Sequence, residues 1–290
     1  MLKYRLTLGP LLIAALIAVL WAEDHFAGVP GGSIPRGAVI FVVLLPVTFM
    51  AARELARILR EKEIAAATGL TCGAAIVGLV VSYVVQRNVP GDEAAALVGS
   101  AAMLVLLASL GYYARHKNTK GVIAAAGGAL LAFVYLGIMF GFVLAIRRDH
   151  SAWLVAWVIL VTKMSDTGAF TFGKLFGRHK LIPWLSPGKT WEGLVGGVVF
   201  AAGFGAGGMA LLKHNLEGEH LPSVASAAVA GSLAALFGQA GDLVMSLFKR
   251  DAGRKDSGHS IPGFGGVLDI LDSPLLVTPL AFWWLKLAAS

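Results

Sequence analysis

Three aspartates, Asp242, Asp269 and Asp272, sit within or beside long apolar runs near the end of the 290-residue chain. A carboxylate near the centre of a membrane helix costs about 2.5–3.5 kcal/mol, so it is expected to face a bundle interior and to have a partner. On a helix, Asp242, Ser246 and Lys249 are four and three residues apart and share one face, with Gly238 one turn earlier. Asp269 and Asp272, spaced i, i+3 at the start of the last apolar run, share a face as well. Carboxylates from two adjacent helices can converge on one point. Hard oxygen ligands of this kind suit Mg²⁺, which binds through one or two carboxylates, several waters and substrate phosphates. A structural ion pair between Asp242 and a nearby lysine is the plainer use of the same residues.

Lys249, Arg250, Arg254 and Lys255 lie between these carboxylates, interleaved with Asp251 and Asp256. Such a cluster neutralises phosphates as point charges and forks. The glycines of Pro262-Gly263-Phe264-Gly265-Gly266 let backbone approach a ligand closely, or serve as a hinge between spans. A second polar block begins with Lys163 and, one turn later, Asp166. It continues through Gly173-Lys174 and Gly177-Arg178 to Ser186-Pro187-Gly188-Lys189-Thr190 and Glu192. Gly188-Lys189-Thr190 resembles the tail of a P-loop. However, the glycine required five residues before Gly188 is Pro183, and no strand is expected ahead of it, so a P-loop is excluded. What remains is a helix N-terminus with Ser186, Lys189 and Thr190 around it, an anion site that Ser186 or Thr190 also caps. His179 and His259 lie in these polar segments, and none of the seven histidines has metal-ligand spacing.

The elements that must position these groups are membrane spans. Hydrophobic residues make up 57% and charged residues 14% of the chain, against about 25% charged in soluble domains. The expectation is an all-α, polytopic integral membrane protein of about nine transmembrane helices. The apolar runs are 1–21, 37–52, 64–85, 94–113, 121–146, 151–161, 191–212, 223–248 and 270–287. No small-x-small cleavage pattern follows the first, so it reads as a span. With the N-terminus cytoplasmic and the C-terminus outside, eighteen of the 24 lysines and arginines fall on the inner side, as the positive-inside rule requires. Residues 1–150 then form five N-terminal spans. Residues 151–290 form a catalytic transmembrane domain whose polar loops, 163–190 and 249–266, both face the cytoplasm. The arginines of the segment RELARILREKE, residues 53–63, read as membrane-surface anchors. Gly193 and Gly197, and then Gly203 and Gly207, are spaced for close packing within the bundle or between two copies of the chain. The lone cysteine, Cys72, excludes an intramolecular disulfide and a cysteine metal site.

The residues from Ser246 onward closely resemble a family signature. They read Ser246-x-Phe248-Lys249-Arg250, Lys255-Asp256-x-Gly258, Ile261-Pro262-x-x-Gly265-Gly266-Val267 and Asp269-x-x-Asp272. The family is the phosphatidate cytidylyltransferases, or CDP-diacylglycerol synthases. Upstream, Lys163, Asp166, Ala169-Phe170, Gly173-Lys174 and Ser186-Pro187-x-Lys189-Thr190-x-Glu192-Gly193 look like its other polar block. The likeness covers about residues 153–290, and the N-terminal half matches only as a set of spans. Phe264 stands where the family usually has His, and Ile270 where it usually has Arg.

The resemblance implies transfer of a cytidylyl group from CTP to phosphatidic acid at the inner cell membrane, giving CDP-diacylglycerol and pyrophosphate. It implies Mg²⁺, alone or with a second cation, on Asp242 and Asp269 with Asp166, Asp256 and Asp272 in support. Lys174, Lys189, Lys249, Arg250 and Lys255 would hold the phosphates, with Lys163, Ser186, Thr190, Ser246, Gly265 and Gly266 lining the substrate. The expected partners are CTP, phosphatidic acid and membrane lipids, with no nucleic acid, and a homodimer would use the glycine-rich helix faces. A lipid kinase, an inactive or altered-specificity relative and an ion-coupled transporter are the other classes that this polar set could serve.

Overall fold

The computed structural model describes residues 2–28, 34–117, 119–216, 220–258, 260–261, 263 and 265–288. Of the positions singled out above, His259, Pro262 and Phe264 lie outside the described residues. Nine long helices follow one another among the described residues: α1 (Leu2–Phe26), α2 (Ala38–Glu61), α3 (Thr68–Asn88), α4 (Gly91–Arg115), α5 (Val122–Asp149), α6 (Ala152–Phe176), α7 (Trp191–Asn215), α8 (Val224–Asp251) and α9 (Leu268–Ala288). All but α6 are long and apolar enough to cross a membrane. Large apolar side chains such as Leu11, Ile13, Val42, Leu104, Ile123 and Val195 point outward, as a hydrocarbon solvent permits. The protein is a helical, polytopic membrane protein.

Two features depart from the sequence expectation. The block 163–190 is not a loop over its first half: α6 runs on to Phe176, carrying Lys163, Asp166 and Lys174 on helix. The second half is a hairpin of two antiparallel strands, β1 (Lys180–Ile182) and β2 (Ser186–Thr190). Pro183 and Trp184 lie in the turn. The strand therefore contains Gly188-Lys189-Thr190 instead of preceding it, so the expectation of no strand is corrected while the P-loop remains excluded. Apolar periodicity could not reveal a hairpin this short and polar.

The chain divides into two compact units. The first comprises residues 1–148 and 248–270, the second residues 149–247 and 271–290, so α8 and α9 each contribute to both. In the first unit the orphan amides at the start of α2 are met from α1. The Glu23 carboxylate accepts from the backbone N–H of Gly37 at 2.6 Å, Val39 at 2.9 Å and Ile40 at 3.2 Å. Arg147 of α5 neutralises it at 3.0 Å, both side chains being buried. A buried charge of this kind persists only when paired and hydrogen-bonded. The middle of α5, Ala132–Ile138, is π-helical, and there Gly137 meets Gly78 of α3 backbone to backbone. Phe133 from this stretch joins Ala74, Ala101, Val105 and Ala129 in the core.

In the second unit α6 and α7 pack through small residues. Gly168 faces Gly196 and Phe200, and Gly197 faces Ser165 and Ala169. Thr190 caps α7, its hydroxyl accepting from the Gly193 N–H at 3.1 Å. Further along, Gly205 and Gly231 let α7 and α8 touch, and Gly241 of α8 rests against the Asp272 carbonyl of α9.

Candidate active site

The second unit gathers its polar groups where α6, α8, α9 and the hairpin meet. Asp242 projects from α8, on the stretch that Gly238 and Gly241 keep thin. Its Oδ1 accepts from the Ser273 hydroxyl at 2.9 Å, and its Oδ2 pairs with Lys189 Nζ at 3.2 Å. Lys189 also donates to the Gln239 carbonyl at 3.4 Å. Asp272 is a close neighbour of Asp242, and its Oδ1 accepts from the Ser273 N–H at 2.8 Å. On α6, Lys163 pairs with Asp166 at 3.1 Å one helical turn away. Burial lowers the Lys189 ammonium from the usual lysine pKa, and the neighbouring Asp242, Asp272 and Asp166 carboxylates pull it back only in part. Three carboxylates and two ammonium groups are thus held within an apolar bundle.

The first unit holds a second constellation, at the end of α8 and the start of α9. Lys249 Nζ lies 2.7 Å from Asp269 Oδ1. Asp269 Oδ2 accepts from the Gly266 N–H at 3.0 Å, the Ser257 N–H at 3.0 Å and the Ser257 hydroxyl at 2.8 Å. Beside it stands Glu54 of α2, 1% exposed, which the sequence reading did not single out. Its carboxylate accepts from the hydroxyls of Ser260 at 2.5 Å and Ser257 at 3.2 Å, and from the N–H groups of Val267 and Leu268 at 3.0 Å each. The last two are amides at the N-terminus of α9, so a side chain about two hundred residues away caps that helix. Gly266 has to be glycine: a Cβ there would collide with the Ser257 hydroxyl and the Glu54 carboxylate. Gly265 adopts φ +96, the left-handed region that glycine tolerates. The available signal for Glu54 was a single acidic residue on the buried stripe Ala51, Ala52, Leu55 and Ala56.

Other expected residues fall outside these two clusters. Arg250, Lys255 and Asp256 are exposed, and Arg254 pairs with Glu61 of α2. Lys174 is exposed with its ammonium 5.9 Å from the Phe170 ring centre. Ser186 opens β2 opposite Ile182. His179 holds Glu192 at 2.6 Å, tying β1 to the first turn of α7. Ser246 is half-buried on α8, and Ile270 lies in the first turn of α9.

Among the described residues no group of three or more His, Cys, Asp or Glu is arranged to hold a metal by itself. The donor chemistry around Asp242 nevertheless fits a hard divalent cation. Two adjacent carboxylates, Asp242 and Asp272, are served by lysine ammonium groups, which supply positive charge where a cation would. Mg²⁺ takes one or two carboxylates and completes its shell with water and phosphate.

Comparison with known proteins agrees with this chemistry. The cytidylyltransferase family model matches residues 29–288. A phosphatidate cytidylyltransferase of Staphylococcus aureus (strain COL) is 36% identical over 204 residues, covering 70% of this chain and 75% of the relative. Proteins of the same name from Staphylococcus haemolyticus and Staphylococcus saprophyticus are 39% and 37% identical over 171 residues, each covering 59% of this chain and 63% of the relative. The match takes in both polar clusters and nearly all the helices that carry them, and the chain belongs to the cytidylyltransferase family.

Proposed function

We propose that this chain transfers a cytidylyl group from CTP to phosphatidic acid, releasing pyrophosphate and leaving CDP-diacylglycerol in the membrane. The observation that carries the reading is the Lys189–Asp242–Ser273–Asp272 cluster, set in an apolar bundle and belonging to a chain of this family. An oxygen of the lipid phosphate attacks the α-phosphorus of CTP. The bond from that phosphorus to the bridging oxygen of the β-phosphate breaks, and pyrophosphate departs with the electron pair. A phosphate monoester carries about −1.5 to −2 charge at pH 7, so it needs no base. The obstacle is the mutual repulsion of two anions, and fixed positive charge removes it.

Asp242 and Asp272 are the proposed Mg²⁺ ligands, with Asp166 in support. When bound, the ion would screen the phosphates and stabilise charge on the leaving group. Lys189 and Lys163, now paired with carboxylates, are placed to turn to phosphate oxygens. Lys249 is held ready by Asp269, which we assign to positioning Lys249 and the 257–268 backbone because both its oxygens already accept hydrogen bonds. Arg250 and Lys255, with Asp256 among them, extend the positive surface of the first unit, and Lys174 that of the second. The charge asymmetry supports nine spans with the N-terminus and this surface cytoplasmic and the C-terminus outside, in the cell membrane. Gly203 and Gly207 have open space over them, and they are the face we assign to self-association.

The test is purified protein with phosphatidic acid and each of the four nucleoside triphosphates. Pyrophosphate is expected with CTP. Entry of the γ-phosphate into the lipid would instead make the protein a lipid kinase and sink the proposal.

A further inference from the structure

A narrow apolar groove lies in the second unit, between α6, α8 and α9. Trp157, Val161, Ala234, Val277, Leu280 and Trp284 line it, and no polar side chain does. The groove continues the Asp242 cluster. Gly238 lies against Ser273, Val277 and Thr162. Ser273 holds Asp242, Val277 is a groove wall, and Val161 precedes Thr162 along α6. Only a glycine therefore stands on α8 between Ala234, one turn before it, and the Asp242 carboxylate, one turn after it.

The groove walls are fixed. Trp157 and Trp284 stack with ring centres 5.3 Å apart. The Trp157 indole N–H donates to the Gly205 carbonyl at 3.0 Å, and that of Trp284 to the Ser226 hydroxyl at 2.9 Å. Both rings thus spend their polar ends away from the groove and turn apolar faces toward it. Leu233, also lining the groove, is 38% exposed, so its rim opens sideways to hydrocarbon.

We propose that this groove binds an acyl chain of the lipid substrate and thereby sets the position of its phosphate at the Asp242 cluster. The inference rests on the function proposed above. The lipid substrate combines a phosphate, which the Asp242 cluster would take, with acyl chains that the adjoining apolar groove would take. In a bilayer the chain is already in hydrocarbon, so transfer from water contributes nothing and the groove acts by packing. Its effect is therefore on which chain is used and where the phosphate is held.

The experiment compares kcat/KM for dioleoyl- and dihexanoyl-phosphatidate in mixed micelles, the short lipid serving as each variant's own reference. Ala234→Phe and Ala281→Phe narrow the groove, and the dioleoyl-to-dihexanoyl ratio is expected to fall about tenfold, the scale on which a hydrophobic pocket discriminates. Leu280→Ala adds no bulk; it widens the groove and is expected to raise use of branched diphytanoyl-phosphatidate relative to dioleoyl. Where a filling variant is inactive on both lipids, Leu280→Ala decides. Unchanged ratios in the active filling variants together with Leu280→Ala would overturn the groove. Failure of the unaltered protein to turn over either lipid with CTP would overturn the function instead.

Discussion

The Asp242 and Asp269 clusters are built from the same residue types and satisfied in different ways. Asp242 meets a hydroxyl and a lysine, with Asp272 beside it, and its side chain is 32% exposed. Every one of these partners is a side chain that can rotate away. Asp269 is 12% exposed and meets Lys249, two backbone amides and the Ser257 hydroxyl, while Glu54 next to it meets two amides and two hydroxyls. Backbone donors cannot turn elsewhere without unfolding the segment. A carboxylate that must exchange partners with a cation is better held by side chains. One that must shape a glycine-rich segment is better held by amides.

Substitutions can break this comparison. The largest effect is expected at Asp242→Asn, a fall of about 100-fold or more in CTP-dependent pyrophosphate release, the scale for removing one charge-stabilising group from an active site. Near-normal turnover would remove Asp242 from the chemistry. Glu54→Ala should act through the fold, since it leaves the two helix-end amides of Val267 and Leu268 and the Ser260 hydroxyl without their acceptor. About 3 kcal/mol of stability is expected to go, read as a lowered thermal midpoint in detergent and as new proteolytic cleavage within 257–268, with Glu54→Gln recovering part of the loss. A thermal midpoint equal to that of the unaltered protein would show that these bonds do not hold the segment.

A metal titration sharpens the contrast. Asp272→Asn is expected to lower activity about tenfold, one tenth of the Asp242 effect, and to regain part of it as Mg²⁺ is raised. Asp269→Asn should lose activity that added Mg²⁺ does not restore, and rescue of this variant alone would exchange the roles assigned to the two clusters. The smallest effect belongs to Lys62→Ala, which removes an exposed pair with Asp251 at 3.1 Å. It should change stability by no more than about 0.5 kcal/mol, within the ordinary range for surface ion pairs.

Much of this was legible in the residues. Apolar runs of some twenty residues show spans because hydropathy is a property of a local window, and most of the expected runs lie inside the helices observed. Interior aspartates stand out for the same reason. The hairpin at 180–190 was not legible, since a handful of polar residues has no periodicity to read. Glu54 was not legible because its role lies in donors some two hundred residues downstream, and in sequence it is one charge in a charged stretch.

Asp269 and Asp272 mark the division. Their spacing places both carboxylates on one side of α9, and this much follows from helical geometry. Their partners do not follow: Asp272 meets Asp242, while Asp269 meets Lys249, Ser257 and Gly266. The amino-acid sequence alone determined that the protein is a helical membrane protein, which residues carry charge inside it and which family's signature they match. Only the tertiary structure decided which carboxylate is bound by backbone and which by rotatable side chains. Partner choice depends on how closely the backbone segments approach, and glycines such as Gly241 and Gly266 set that approach by what they leave out.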